Sequence, residues 1–217
     1  EWSGDGEITF GAVVIEEGST DDGRRYALLD VAEDQTLFVS ISETNPDDYI
    51  RDIQVFMPDF EGQPLEMENW QPGSEGSPFH PLFLELLQPF DTIRFMQWQE
   101  INGDSRDVLT ADDLRPASFA TQGTAGWMGG EYGVSVEHMV RLANDLGSNA
   151  YFNMPHQAND DYVRAFAEYV ADNIHDDAQV FVEYSNEVWN YAFGFEANAW
   201  VGEQQELPEN AGLSFTD

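Results

Sequence analysis

The sequence contains no cysteine and no lysine. Without cysteine there is no disulfide framework, no thiolate metal site and no cysteine nucleophile. No His-x-x-x-His or comparable ligand spacing occurs among the 4 histidines, so neither a metal site nor a cofactor is expected. All 8 basic residues are arginine, set against 42 acidic residues, for a net charge of -34. Phosphate binding needs cationic patches, so nucleic acid is excluded as a partner and an anionic membrane surface is disfavoured. No apolar run approaches the ~20 residues of a membrane span. Acid enrichment without lysine reads as adaptation to high salt, where mobile ions screen the self-repulsion. The chain opens on Glu1 rather than Met, which raises the expectation of a processed or trimmed start and of secretion.

What is present suffices for a folded protein. A chain of 217 residues can bury a sizeable core, in one large domain or two unequal ones. Hydrophobic residues at 41% and aromatics at 13% argue against disorder despite the charge. The first part, residues 1–48, reads as β. Strands are expected at 8–15 and 26–31, with a turn at Gly18 and Asp21-Asp22-Gly23, and at 36–42, where Leu37, Val39 and Ile41 share a face. These strands resemble a piece of a small β-sandwich, packed on the main domain as a structural appendage rather than acting as a carbohydrate-binding module. Asn45-Pro46-Asp47-Asp48 punctuates the chain.

From residue 49 to 217 the pattern changes to strands alternating with helices, which implies βαβ units and a parallel sheet. Ile53, Val55 and Met57 mark a first strand. A Gly- and Pro-rich loop follows, and Pro81 opens a helix that Pro89 limits. Residues 92–98 form a second strand, with Arg94, Met96 and Trp98 on one face. A long loop containing Trp127 then leads to Ser135, a good N-cap. The helix behind it carries Val136, Met139, Val140, Ala143 and Leu146 as its apolar stripe and stops at Gly147. Residues 150–155 form a third strand that leads into His156. A third helix starts near Asp160 or Asp161, with Val163, Phe166, Ala167 and Val170 at helical spacing. An aromatic helix is expected around 195–205.

Between these last helices lies the stretch Val180-Phe181-Val182-Glu183-Tyr184-Ser185-Asn186-Glu187-Val188-Trp189-Asn190. It begins as a buried β-strand and ends in a carboxylate, two amides and a tryptophan. Enzyme barrels carry their active sites at the C-terminal ends of their strands. On a regular strand Glu183, Ser185 and Glu187 share one face and Asn186 points the opposite way. Asn186 and Glu187 reach one pocket only if the strand ends or bulges there. Arg94, on a buried strand, needs an anionic partner such as Glu183, because an unpaired buried charge is costly. Trp98, Trp127 and Trp189 are candidates for stacking on sugar rings, and His156 for contacting substrate or tuning a carboxylate. Taken singly, each of these residues has a core-packing or structural reading as well.

Residues 182–187 resemble the fourth-strand signature of clan A glycoside hydrolases, the retaining (β/α)8-barrel enzymes that include the cellulases. The resemblance covers roughly residues 50–200. It implies that Glu187 is the general acid/base and that Asn186 binds the sugar 2-hydroxyl. It also matches Arg94 to a second-strand arginine, His156 to a third-strand histidine, and Glu183 to a glutamate four residues before the acid/base. Where the cellulases usually have proline after the glutamate, this chain has Val188.

The implied reaction is retaining hydrolysis by two carboxyl groups about 5 to 5.5 Å apart. The acid/base must stay protonated near neutrality, which requires burial or a neighbouring carboxylate. The family's nucleophile ends the seventh strand, and residues 49–217 leave room for about four βα units. The expected fold is therefore α/β, the first half of a TIM barrel behind a small β segment. The rest of the barrel would come from a longer chain or a second copy. The expected function is a salt-adapted, secreted glycoside hydrolase acting on β-glucan or another polysaccharide. The alternatives are a non-catalytic carbohydrate-binding protein on a degenerate barrel, and an assembly protein whose strand edges pair with another chain.

Overall fold

A computed structural model describes residues 1–32, 35–57, 72–73, 75–99, 101–102, 108–119, 122–123, 133–192 and 195–212. The chain divides into two compact units, Glu1–Glu66 and Met67–Asp217.

The first unit contains four strands, β1 (Gly6–Phe10), β2 (Val13–Ser19), β3 (Arg25–Asp30) and β4 (Val39–Thr44). They form two antiparallel ladders, β1 with β4 and β2 with β3. The continuous strand expected at 8–15 is broken at Gly11-Ala12, and its halves join different ladders. Gly11 is where the chain turns off: its N–H donates to the Phe38 carbonyl at 2.7 Å. A Cβ on Gly11 would lie 3.3 Å from Phe38, so the absence of a side chain permits this close approach. The expected turn forms at residues 20–23, where Gly23 donates to the Thr20 carbonyl at 3.0 Å with φ 86°. The alternation in β4 does not produce an inner face, since every residue of that strand is exposed. Trp2 is the one large side chain buried in this unit among the described residues. It packs against Phe10 at 5.9 Å and under the Arg25 guanidinium at 5.4 Å.

Ile53, Val55 and Met57 do not form a strand, and all three are exposed. Their segment turns back onto the first unit instead. Ser3 and Arg51 exchange backbone hydrogen bonds of 2.9 and 3.0 Å, and Gln54 donates to the Glu1 carbonyl at 2.8 Å. The β unit therefore runs past residue 48, because this segment's backbone groups find their partners there.

The second unit contains helices α1 (Pro81–Leu87), α2 (Val136–Leu146), α3 (Asp160–Asn173) and α4 (Ala197–Gln205), and strands β5 (Thr92–Arg94), β6 (Asn149–Met154) and β7 (Val180–Tyr184). The strands form a parallel sheet in the order β5-β6-β7. Among the described residues this sheet has three strands and does not close on itself. Helix α2 starts where expected: Ser135 Oγ accepts from the His138 N–H, and Gly147 ends the helix in the left-handed region at φ 62°. Helix α3 is capped by Asn159, whose side chain accepts from the Tyr162 N–H. Its buried residues are Tyr162, Phe166 and Val170, whereas Val163 faces outward. Of the expected stripe Phe166 and Val170 are buried while Val163 and Ala167 are exposed, and Tyr162, stacked beside Phe166 at 6.5 Å, takes the inward position instead.

The core of the second unit lies between the sheet and helices α2 and α3. Phe95 stacks on Phe152 at 5.3 Å, and Phe152 meets Phe166 edge-on at 5.1 Å. The second expected strand stops at Arg94, and Met96–Gln99 forms a 3-10 turn. Arg94 and Trp98 therefore do not share a strand face. The turn swings Trp98 among Phe79, Phe83 and Phe95, with ring centroids 5.6 to 6.4 Å apart. Aromatic contacts of that kind outcompete exposure of a large indole.

The charge excess has a direct consequence. Even if each of the 8 arginines were paired with one of the 42 acidic residues, 42 − 8 = 34 carboxylates would be left without a cationic partner. Molar NaCl is expected to raise the melting temperature by several degrees, since about 1 kcal/mol corresponds to ~2–4 °C in a chain of this size. A melting temperature that stays flat or falls with added salt would remove the reading of salt adaptation.

Candidate active site

The C-terminal ends of β5, β6 and β7 bring one polar cluster together. Register sets it up: Arg94 lies opposite Tyr151, and Asn153 opposite Glu183. In a parallel ladder these four side chains share one face. A single oxygen of Glu183, Oε2, accepts from Arg94 Nη2 at 2.7 Å, Asn153 Nδ2 at 2.8 Å and the Tyr151 hydroxyl at 3.1 Å. The Arg94 guanidinium also lies over the Tyr151 ring at 5.4 Å. Burial pushes the Glu183 carboxyl up, but the bonds from Arg94, Asn153 and Tyr151 and the Arg94 charge outweigh it and hold the group below its ordinary range. Arg94 thus has its anionic partner in Glu183.

The linkage follows from that depression. A carboxylate whose folded-state pKa lies below its unfolded value stabilises the fold above the unfolded value, about 4.3 for glutamate. That contribution is lost as pH falls through the folded value. Glu183→Gln is expected to cost about 1 kcal/mol at neutral pH, a modest figure because the pair is partly solvated. It should also flatten the acid limb of stability, measured by urea unfolding at neutral pH and below pH ~4. Equal losses at both pH values would argue against this role.

Strand β7 ends at Tyr184, and the backbone then departs from the pleat. Ser185 and Glu187 both adopt left-handed conformations, at φ 55° and 46°. For side chains other than glycine each costs about 1–2 kcal/mol, and such strain concentrates at functional sites. This resolves the facing of Asn186. On a continued strand it would point away, but the turn brings it into the cluster. Its Oδ1 accepts from Arg94 Nη2 at 2.9 Å and its Nδ2 donates to Asn102 Oδ1 at 3.0 Å. Asn186 is 5% exposed.

Glu187 stands on the same turn and is half-buried. Its Oε2 accepts from Asn190 Nδ2 at 2.8 Å, and the Asn190 N–H donates to the Glu187 carbonyl at 2.7 Å. His156 is 4% exposed and its Nδ1 lies 3.1 Å from Ser185 Oγ. Of the three tryptophans considered for sugar stacking, Trp98 is partly buried against the core, Trp127 lies outside the described residues, and Trp189 is 70% exposed beside Glu187.

Tyr151, Asn153 and Asn102 join the cluster without having been singled out beforehand, and Ser185 and Asn190, already noted in the stretch, join it through the turn rather than along a strand face. The available signal for two of them was polarity at alternate positions of β6, Tyr151 and Asn153, around the buried Phe152. No group of three or more His, Asp or Glu side chains among the described residues could hold a metal ion.

No family model, curated protein or solved structure matches the chain. Its chemistry is therefore argued from these residues.

Proposed function

We propose that this chain carries the acid/base half of a retaining polysaccharide hydrolase, built on part of a (β/α)8 barrel, with β-glucan as the favoured substrate class. The observation that carries the reading is the turn after β7. It brings the Asn186 amide onto Arg94 and presents the half-exposed Glu187 carboxyl one residue away. In this reading Glu187 protonates the departing glycosidic oxygen and later activates water, while Asn186 holds the sugar 2-hydroxyl. The βα rhythm and the order β5-β6-β7 support the barrel part of the proposal.

Glu183 is not the nucleophile in this scheme. Three donors converge on one of its oxygens, Arg94 among them. A carboxylate stabilised in that way attacks poorly, and its part is to hold Arg94 against Asn186. The second catalytic carboxylate then belongs to the portion that completes the barrel. High salt and secretion fit the acid-rich, cysteine-free composition.

The test is the complete protein on soluble β-glucan, with NMR of the first-formed reducing end. The β anomer is expected. The α anomer would overturn the retaining mechanism, and an absence of new reducing ends would overturn hydrolysis. Exposed Trp189 favours a second reading, carbohydrate binding without chemistry. That reading predicts retention of the protein on insoluble glucan with no reducing ends released.

A further inference from the structure

Ser185 is buried completely, yet it is a polar residue in a backbone conformation that side chains rarely adopt. Such a conformation persists only where the surroundings over-determine it. Each hydrogen-bonding group of Ser185 is engaged by the end of β6 or the turn beyond it. Its N–H donates to the Met154 carbonyl at 2.7 Å. Its carbonyl accepts from Asn153 Nδ2 at 2.7 Å. Its hydroxyl meets His156 Nδ1 at 3.1 Å. The first two bonds fix the peptide, and the third fixes the side chain. Asn153 also donates to Glu183, so one amide ties the Ser185 turn to the Arg94 pair.

We infer that His156 and Ser185 form a positioning lock for the Asn186–Glu187 turn, and that His156 acts through Ser185 rather than on substrate. The inference rests on the hydrolase reading above. It assigns Ser185 a part in that site and moves His156 away from sugar contact. The reason is geometric. Asn186 is aimed at Arg94 only because Ser185 turns the chain out of the pleat, and Glu187 follows on the same turn. A catalytic group misplaced by about 1 Å loses on the order of 100-fold in rate.

The experiment uses the complete protein with three variants, Ser185→Ala, His156→Phe and the double substitution, beside Glu187→Gln. Two substrates are compared, soluble β-glucan and an aryl cellobioside with a good leaving group. Circular dichroism melting reports folding. Ser185→Ala and His156→Phe should each lower turnover of β-glucan by about 10- to 100-fold with smaller losses on the aryl substrate. The double variant should lose no more than the worse single one, because both remove the same lock. Partial unfolding lowers both activities by one factor and leaves their ratio unchanged, so the ratio separates positioning from mere structure. Unchanged ratios, multiplicative losses in the double variant, or wild-type turnover in Ser185→Ala beside an impaired Glu187→Gln would overturn this inference alone. Wild-type turnover in Glu187→Gln, or an inert wild-type protein, would overturn the hydrolase reading and this inference with it.

Discussion

Glu187→Gln in the complete protein is expected to lower turnover of β-glucan by about 10²- to 10⁴-fold, the range that general acid–base groups contribute. The fold should survive. The side chain is half-exposed, and the amide oxygen of glutamine can still accept from Asn190 Nδ2 as the carboxylate does at 2.8 Å. The substitution leaves the left-handed backbone at φ 46° with the same branching at Cβ. An aryl glycoside with a good leaving group should suffer much less when bond cleavage limits turnover, since its departing oxygen needs little protonation. Steady-state kinetics on both substrates, with melting temperatures alongside, give the answer. Equal losses on the two would argue against proton donation by Glu187 and in favour of a binding role.

The second large effect concerns the chain Glu1–Asp217 by itself, which is expected to be inactive on β-glucan. Strand β7 pairs with β6 on one side only among the described residues. Its side chains are exposed on both faces, Val180, Phe181 and Tyr184 as well as Val182, which is 65% exposed. A central barrel strand is covered on both faces and paired on both edges. Helix α4 does not cover the strand: Ala197 is its one buried residue. An edge of this kind invites pairing with another strand. In the half-barrel proposal, the covering strands would come either from further sequence of the same protein or from a second copy. Two copies at -34 each repel strongly, so self-association should appear only at high salt, where the Debye length falls to about 3 Å at 1 M. The first arrangement is favoured, because it also supplies a nucleophile. Sedimentation at low and molar salt, with a β-glucan assay on each fraction, separates the cases. A stable monomer with full turnover would sink the half-barrel proposal and require a second catalytic carboxylate within these 217 residues.

Much of this was legible in local chemistry. Ser135 and Gly147 bound α2 because capping is a matter of neighbouring residues. Asp21-Asp22-Gly23 marked a turn for the same reason, and the apolar run at 180–184 marked β7, although the burial expected of that strand is not observed. Arg94 does find its anionic partner in Glu183, although the expected burial of its strand is not observed: the Arg94 side chain is 41% exposed. Less legible was where a strand stops. The run at 92–98 has strand composition throughout, but Phe95 and Trp98 gain more by entering the aromatic core than by continuing the pleat. The run at 53–57 alternates well, yet among the described residues no parallel neighbour lies beside it, and the segment's backbone turns to Ser3 and Glu1.

The sequence by itself determined the composition-level facts: a strong acid excess, no thiol chemistry, arginine as the one basic residue type, and a polar stretch containing Asn186-Glu187 behind an apolar run. These follow from residue identity alone. Only the tertiary structure decided that Asn186 faces the cluster, that His156 is buried against Ser185, that Tyr151 and Asn153 join Arg94 on Glu183, and that Trp98 packs against the core. Each of these depends on hydrogen bonds or ring contacts between segments far apart in the chain, from Arg94 to Glu183 or from Asn153 to Ser185. Period-two patterning says which side chains share a face of a strand. It says nothing of which strand lies alongside, or of where two left-handed residues turn the chain out of the pleat.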